Sequence, residues 1–254
     1  MSRRRAENQP IPRHCAERRR AVYFRERENS RDEDDLHDGV REPGGKDVRE
    51  SRPGRHALMD AIILSGGRGR RMGGTVKAFL RLGSMTFIER ILGILAPLFD
   101  SVSIATNAPG LYAHLGVRIV GDEREGVGPL MGLYSGLRAS ASVSSFVTTA
   151  DTPLLREGLV RYLAENAKDC DVLVPRWERG VEPLCAVYAR SCIPAIEKVL
   201  SNGRIVSFFP SVRVRFVPSA IIREVDLEGL SFLNVNTLAD YERLKKIHES
   251  LRGG

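Results

Sequence analysis

Apolar and polar positions from residue 59 onward follow two alternating rhythms. Short apolar runs at 61–64, 102–105, 117–120, 146–149 and 172–174 are bounded by small or turn-forming residues and read as buried strands. Between the first two, Phe87, Ile88, Ile91, Leu92 and Leu95 share one face of a helix over 86–98. Thr86 and Glu89 form a capping box at its start, and Pro97 discourages continuation. Shorter helical patterns occupy 130–139 and 157–166. Strand, helix, strand repeated at this spacing predicts a mostly parallel sheet covered by helices on both faces, a three-layer α/β/α Rossmann-like fold. After Pro175 the rhythm changes: 176–189 reads as a hairpin or lid, 193–200 as a helix, 212–217 as a late strand and 237–251 as a closing helix.

Residues 1–58 are of different material. They carry 15 Lys+Arg against 12 Asp+Glu and almost no periodic apolar positions, so burial there cannot offset the entropy of ordering. This stretch reads as a disordered charged extension, either a real arm or translated sequence upstream of a natural start at Met59. Residues 59–254 then form a single domain.

Composition narrows the function classes. The 42% apolar content suffices for a core, and the net charge of +7 suits phosphorylated ligands, nucleic acid or a membrane surface. Only 6% of residues are aromatic, and no ribonucleoprotein-type motif interleaves rings with basic residues, which argues against nucleic acid as a partner. Cys15, Cys170, Cys185 and Cys192 show neither a CxxC pair nor zinc spacing, and read as reduced, mostly core thiols. No apolar run reaches about 18 residues, so no membrane partner is expected and the cytoplasm is the expected compartment. The expected state is a monomer or weak homo-oligomer.

In open parallel sheets ligands bind beyond the carboxyl ends of the strands, so the residues following each run carry the chemistry. After the first strand, Leu64, Ser65, Gly66 and Gly67 let backbone approach a phosphate, while Arg68, Arg70, Arg71 and Lys77 supply positive charge. The loop is neither a P-loop nor a dinucleotide fingerprint, because GxxxxGK[ST] is absent and Met72 stands where the last glycine of GxGxxG belongs. Asp151 follows the 146–149 strand and suits either Mg²⁺ or a helix N-cap. Asp122 stands at another strand end, before Gly128, Pro129 and Leu130 open a helix. Asn107 is placed to read a base or ribose, or to form a turn before Pro109. Glu182-Pro183-Leu184 and Asn234-Val235-Asn236-Thr237 read as strand-edge and capping elements, or as groups reaching into the cleft from its far side.

Together LSGGRGRRMGG with Lys77, then GPLMGL, ADTPLL, EPLCAVY and FLNVNTLADY, resemble the successive motifs of the molybdenum cofactor guanylyltransferases, within the glycosyltransferase-A-like nucleotidyltransferases. The resemblance runs from residue 60 to about 246. The opening loop alone would suit nucleotidyltransferases acting on sugar phosphates, isoprenoid precursors or cobinamide; the later elements favour the molybdopterin branch. The resemblance implies transfer of GMP from GTP to the terminal phosphate of molybdopterin or its metal-loaded form, with release of pyrophosphate. It implies that Leu64, Ser65 and Gly66 hold the nucleotide through backbone, with Gly67 beside them. Lys77 and Arg71 would neutralise the triphosphate, Asn107 and Asp122 contact the nucleoside, and Asp151 hold Mg²⁺. The pterin partner would lie near 176–188 and 204–210. Two positions depart from the common pattern: Val76 replaces an acidic residue before the lysine, and Ala150 replaces a cysteine before the aspartate.

Overall fold

The computed structural model describes residues 59–66, 71–72, 75–124, 127–178 and 180–253. The expected extension at 1–58, Cys15 and Gly67 lie outside the described residues, as does the side chain of Arg71.

Eight strands form one sheet. In chain order they are β1 (Met59–Leu64), β2 (Val102–Ala105), β3 (Arg118–Val120), β4 (Ser144–Thr149), β5 (Val172–Trp177), β6 (Gly180–Val181), β7 (Ala186–Ala189) and β8 (Val214–Pro218). β1 lies centrally, parallel to β2 on one side and β4 on the other, with β3 parallel to β2 beyond. β7 runs antiparallel to both β4 and β5, which leaves β5 parallel to β4. β6 and β7 pair with opposite ends of β5, whereas β8 pairs along 172–176; β8 therefore takes the other edge of β5. The expected mostly parallel sheet is present, with the 176–189 segment as its antiparallel insert.

Alternation along β1 explains the layers. Ala61 and Ile63 belong to one buried cluster with Ile88, Ile91 and Leu95 of α1 (Phe87–Leu95) and Leu159 and Leu163 of α3 (Glu157–Asn166). Ile62 and Leu64 point the other way, into a cluster with Leu130, Leu133 and Leu137 of α2 (Pro129–Ala139) and Ile196 of α4 (Ile193–Glu197). A strand buried on both faces is what successive apolar residues require, each large one contributing about 1.5–3 kcal/mol. α5 (Ser219–Val225) joins the first face through Ile222. α6 (Leu238–Gly253) supplies Leu244 to a third cluster, with Leu82, Phe87, Leu154, Leu230 and Val235.

Local chemistry sets the helix starts. The capping box of α1 is formed: Thr86 Oγ1 accepts from the Glu89 backbone N–H at 3.3 Å, and Glu89 Oε2 accepts from the Thr86 backbone N–H at 2.8 Å. The Thr86 N–H, together with the Thr86 hydroxyl that also donates to Oε2 at 2.8 Å, holds the Glu89 carboxyl below its ordinary value. The helix stops at Leu95, three residues short of the expected end, just ahead of Pro97. α2 starts at Pro129, after Gly128 at φ 92°. Gly132 and Gly136, one turn apart, let it lie close on the sheet: a Cβ at 136 would stand 2.8 Å from Ile62 Cγ2. Three expectations shift. The 193–200 helix closes at Glu197 and gives way to a 3-10 turn, the late strand begins at Val214, and α5 was not foreseen.

Candidate active site

Register places four strand ends level. Leu64 pairs with Ala105 on one side and Thr149 on the other, and Ala105 pairs with Val120. The segments that leave these strands therefore begin side by side, and Ser65, Asn107, Asp122 and Asp151 are delivered to one edge of the sheet. Strand order reverses between β1 and β4, so this edge is also the topological switch point.

Asn107 and Asp122 meet directly, the Asn107 amide donating to Asp122 Oδ2 at 2.8 Å. The turn before Pro109 is made by Thr106 instead, whose hydroxyl accepts from the Ala108 backbone N–H at 3.2 Å. Asn107 is thus a side chain oriented by a carboxylate. Asp122 also approaches the first strand: a Cβ at Gly132 would lie 3.6 Å from its Oδ1 and 3.4 Å from Leu64 Cδ2. The glycine on α2 makes room for that approach.

Asp151 is not a helix cap. α3 begins six residues later, after Arg156. Its Oδ1 accepts a 2.6 Å hydrogen bond from the Thr149 hydroxyl, and its backbone carbonyl accepts from the Val235 N–H at 3.0 Å. Thr152 Oγ1 donates back to the Thr149 carbonyl at 3.0 Å, closing the turn that presents the carboxylate.

The segment around Val235 joins two candidates. Next to it, Asn236 Oδ1 accepts from Lys77 Nζ at 2.9 Å, across 159 residues of chain. Asp240 secures this segment by accepting from the backbone N–H groups of Asn236 and Thr237 at 2.9 and 2.8 Å, and Thr237 Oγ1 accepts from the Asp240 N–H. Those donors hold the Asp240 carboxyl below its ordinary value. The Asn-Val-Asn-Thr element therefore both caps α6 and reaches into the cleft. Upstream, buried Asp226 accepts from the Leu230 and Ser231 N–H groups, each at 2.9 Å, fixing the turn that leads there.

The glycine-rich loop is described only in part. Arg71 pairs through its backbone with Val76, which sets it opposite the residue before Lys77. Ser65 is buried; its N–H donates to the Ala105 carbonyl at 2.8 Å, and its hydroxyl lies 2.5 Å from Tyr112 OH. Leu64 offers its carbonyl to the Ala150 N–H at 3.1 Å. These groups continue the sheet, so any nucleotide contact from Ser65 falls to its carbonyl. Gly66 is exposed, and a Cβ there would meet no described atom within 4 Å.

Glu182 to Cys185 form a turn: the Glu182 N–H donates to the Pro175 carbonyl at 2.9 Å, the Cys185 N–H to the Glu182 carbonyl at 3.1 Å, and Tyr188 OH to the Pro183 carbonyl at 2.6 Å. Cys185 and Cys192 are buried free thiols; burial pushes Cys185 far up and Cys192 up to about 12. Neither offers a nucleophile. Sequence reasoning left the Asn-Val-Asn-Thr element open between capping and reaching into the cleft, did not pair Asn236 with Lys77, and passed over Tyr112, since neither residue follows a strand directly.

A doubly wound, mostly parallel sheet with a lysine, an aspartate and an Asn–Asp pair at its switch point defines an α/β nucleotidyltransferase. The chain belongs to the family described as the MobA-like NTP transferase domain, whose model matches residues 61–214. It is 37% identical over 195 residues to a probable molybdenum cofactor guanylyltransferase of Pelotomaculum thermopropionicum, covering 76% of this chain and 95% of that one. It is 35% identical over 202 residues to the molybdenum cofactor guanylyltransferase of Desulfosudis oleivorans, covering 77% and 98% respectively. Among solved structures, it resembles the molybdopterin-guanine dinucleotide biosynthesis protein A of Archaeoglobus fulgidus at a TM-score of 0.66 and 27% identity, over 75% of this chain and 99% of that one. Asn236 lies beyond the span matched by the family model.

Proposed function

We propose that this cleft transfers GMP from GTP to the terminal phosphate of molybdopterin, forming the guanine dinucleotide of the cofactor and releasing pyrophosphate. The observation that carries the reading is the junction at Val235 and Asn236, where the Lys77 ammonium and the Asp151 strand end are tied to one two-residue stretch. Nucleotidyl transfer needs in-line positioning and charge stabilisation more than a protein nucleophile. The acceptor phosphate is already an anion, so no general base is needed.

Lys77 and Arg71 neutralise the triphosphate as charge shifts toward the leaving pyrophosphate. Asn107, oriented by Asp122, contacts the nucleoside, and the exposed backbone at Gly66 lies along the phosphates. Among the described residues no three or more His, Cys, Asp or Glu side chains gather. One carboxylate with a hydroxyl beside it suits Mg²⁺, which keeps waters and takes phosphate oxygens as further ligands. Asp151 would hold that ion, whose charge offsets that of the phosphates. Among the described residues no helix is long and apolar enough to cross a membrane.

The reading is tested by offering GTP, Mg²⁺ and one acceptor at a time: molybdopterin, adenosylcobinamide phosphate or a sugar phosphate. Pyrophosphate release dependent on molybdopterin is expected. Release that depends on one of the others, and not on molybdopterin, would reassign the acceptor.

A further inference from the structure

We infer that Tyr112 is a positioning residue that braces both flanks of the nucleotide cleft, aligning the loop after β1 with the segment that carries Lys77. The inference rests on the guanylyl-transfer reading. Tyr112 is 1% exposed and lies in the 3-10 turns between β2 and β3, so its ring cannot touch a ligand directly. Its phenolic oxygen lies 2.5 Å from Ser65 Oγ. Its ring packs against Phe79, with centroids 5.2 Å apart and planes tilted by 32°. Phe79 closes the short 3-10 turn that Lys77 opens.

Ser65 has little freedom left once this bond is made. Its N–H is held by Ala105 and its hydroxyl faces Tyr112, so its carbonyl and the following Gly66 are aimed from a fixed base. On the other flank the Phe79 ring sets the turn that directs Lys77. One buried ring thus relates the backbone that lines the phosphates to the cation that neutralises them. The two contacts are separable, because Tyr112→Phe removes the hydroxyl and keeps the ring.

Tyr112→Phe and Ser65→Ala are each expected to raise the KM for GTP about three- to tenfold, the range of one buried hydrogen bond, with kcat within about twofold and the KM for molybdopterin unchanged. The double variant is expected to be no worse than either single one, since both remove the same bond. Phe79→Leu is expected to act on the Lys77 flank and to lower kcat more than it raises the KM for GTP. GTP affinity measured without acceptor should follow the same order, and the thermal midpoint of Tyr112→Phe should fall by only a few degrees, leaving the protein folded at assay temperature. An unchanged GTP affinity, penalties that add in the double variant, or an equal rise in both KM values overturns the inference. If the parent protein binds GTP yet forms no guanine dinucleotide, the guanylyl-transfer reading fails by itself, and GTP affinity of the variants alone decides for or against Tyr112.

Discussion

Two aspartates at opposite ends of the sheet show what separates a structural carboxylate from one available to a ligand. Asp171, at the amino end of β5, accepts from the backbone N–H, Nε and Nη2 of Arg213 and from the Ser191 hydroxyl, at 2.8–3.2 Å. The Arg213 hydrogen bonds, helped by Ser191, hold its carboxyl well below the usual carboxylate range. Asp151, at the carboxyl end of β4, receives a single side-chain hydrogen bond among the described residues, from Thr149 two residues before it. A saturated carboxylate fastens two strands, here β5 and β8. One with a single internal donor keeps oxygen lone pairs for a cation. The same residue type thus serves the fold at one end and is left open to a ligand at the other.

The sharpest way to break this contrast is to neutralise both. Asp151→Asn and Lys77→Ala are expected to lower kcat for guanylyl transfer by about 10²–10³-fold, the scale of losing one preorganised charge-stabilising group. Asp171→Asn should leave kcat within about twofold; an equal loss there would erase the distinction.

Gly229→Ala probes the far side of the cleft. Gly229 has φ 64°, and a Cβ there would lie 2.4 Å from Trp177 Cε2, so a loss of about 1–3 kcal/mol is expected in thermal or denaturant unfolding. Gly110→Ala, where a Cβ meets no described atom within 4 Å, should stay within about 0.5 kcal/mol.

Thr149→Val, which removes the hydroxyl that donates to Asp151, should weaken the response of activity to Mg²⁺ about 10–100-fold in half-saturating concentration. An unaltered Mg²⁺ titration would show that this hydroxyl does not orient the carboxylate.

The smallest effect concerns acid. Asp171 has a folded-state pKa below its ordinary 3.8, so its contribution to stability is present above that value and is lost as pH falls through it toward the folded pKa. Arg213 is 71% exposed, which keeps this contribution small. Parent and Asp171→Asn unfolding curves should converge as pH drops below about 3.8. A constant gap across that range would contradict the assignment.

Much of the fold was legible because burial on both faces leaves contiguous apolar runs, and because helix signals such as Thr86 with Glu89 are local. The 176–189 segment was legible only as a hairpin or a lid, and the hairpin is what forms: the apolar run Cys185-Ala186-Val187-Tyr188 carries no directional signal of its own, and its pairing with β5 depends on the turn chemistry between them. α5 escaped notice because seven residues give too few turns for a periodic signal, and Ile222 is held by tertiary packing. At the cleft, Asn107, Asp122 and Asp151 could be read from their places after strands. The partnership of Lys77 with Asn236 spans 159 residues and carries no local pattern, and Tyr112 acts from within the wall.

The central claim, that the α-phosphate of GTP moves to a phosphate acceptor, is tested most directly by following two labels. With GTP labelled at either the α- or the γ-phosphate, Mg²⁺ and molybdopterin, the α-label is predicted to appear in the guanine dinucleotide and the γ-label in pyrophosphate, both requiring acceptor. Appearance of the γ-label in the acceptor, or release of the α-label as free GMP or GDP without acceptor, would contradict it.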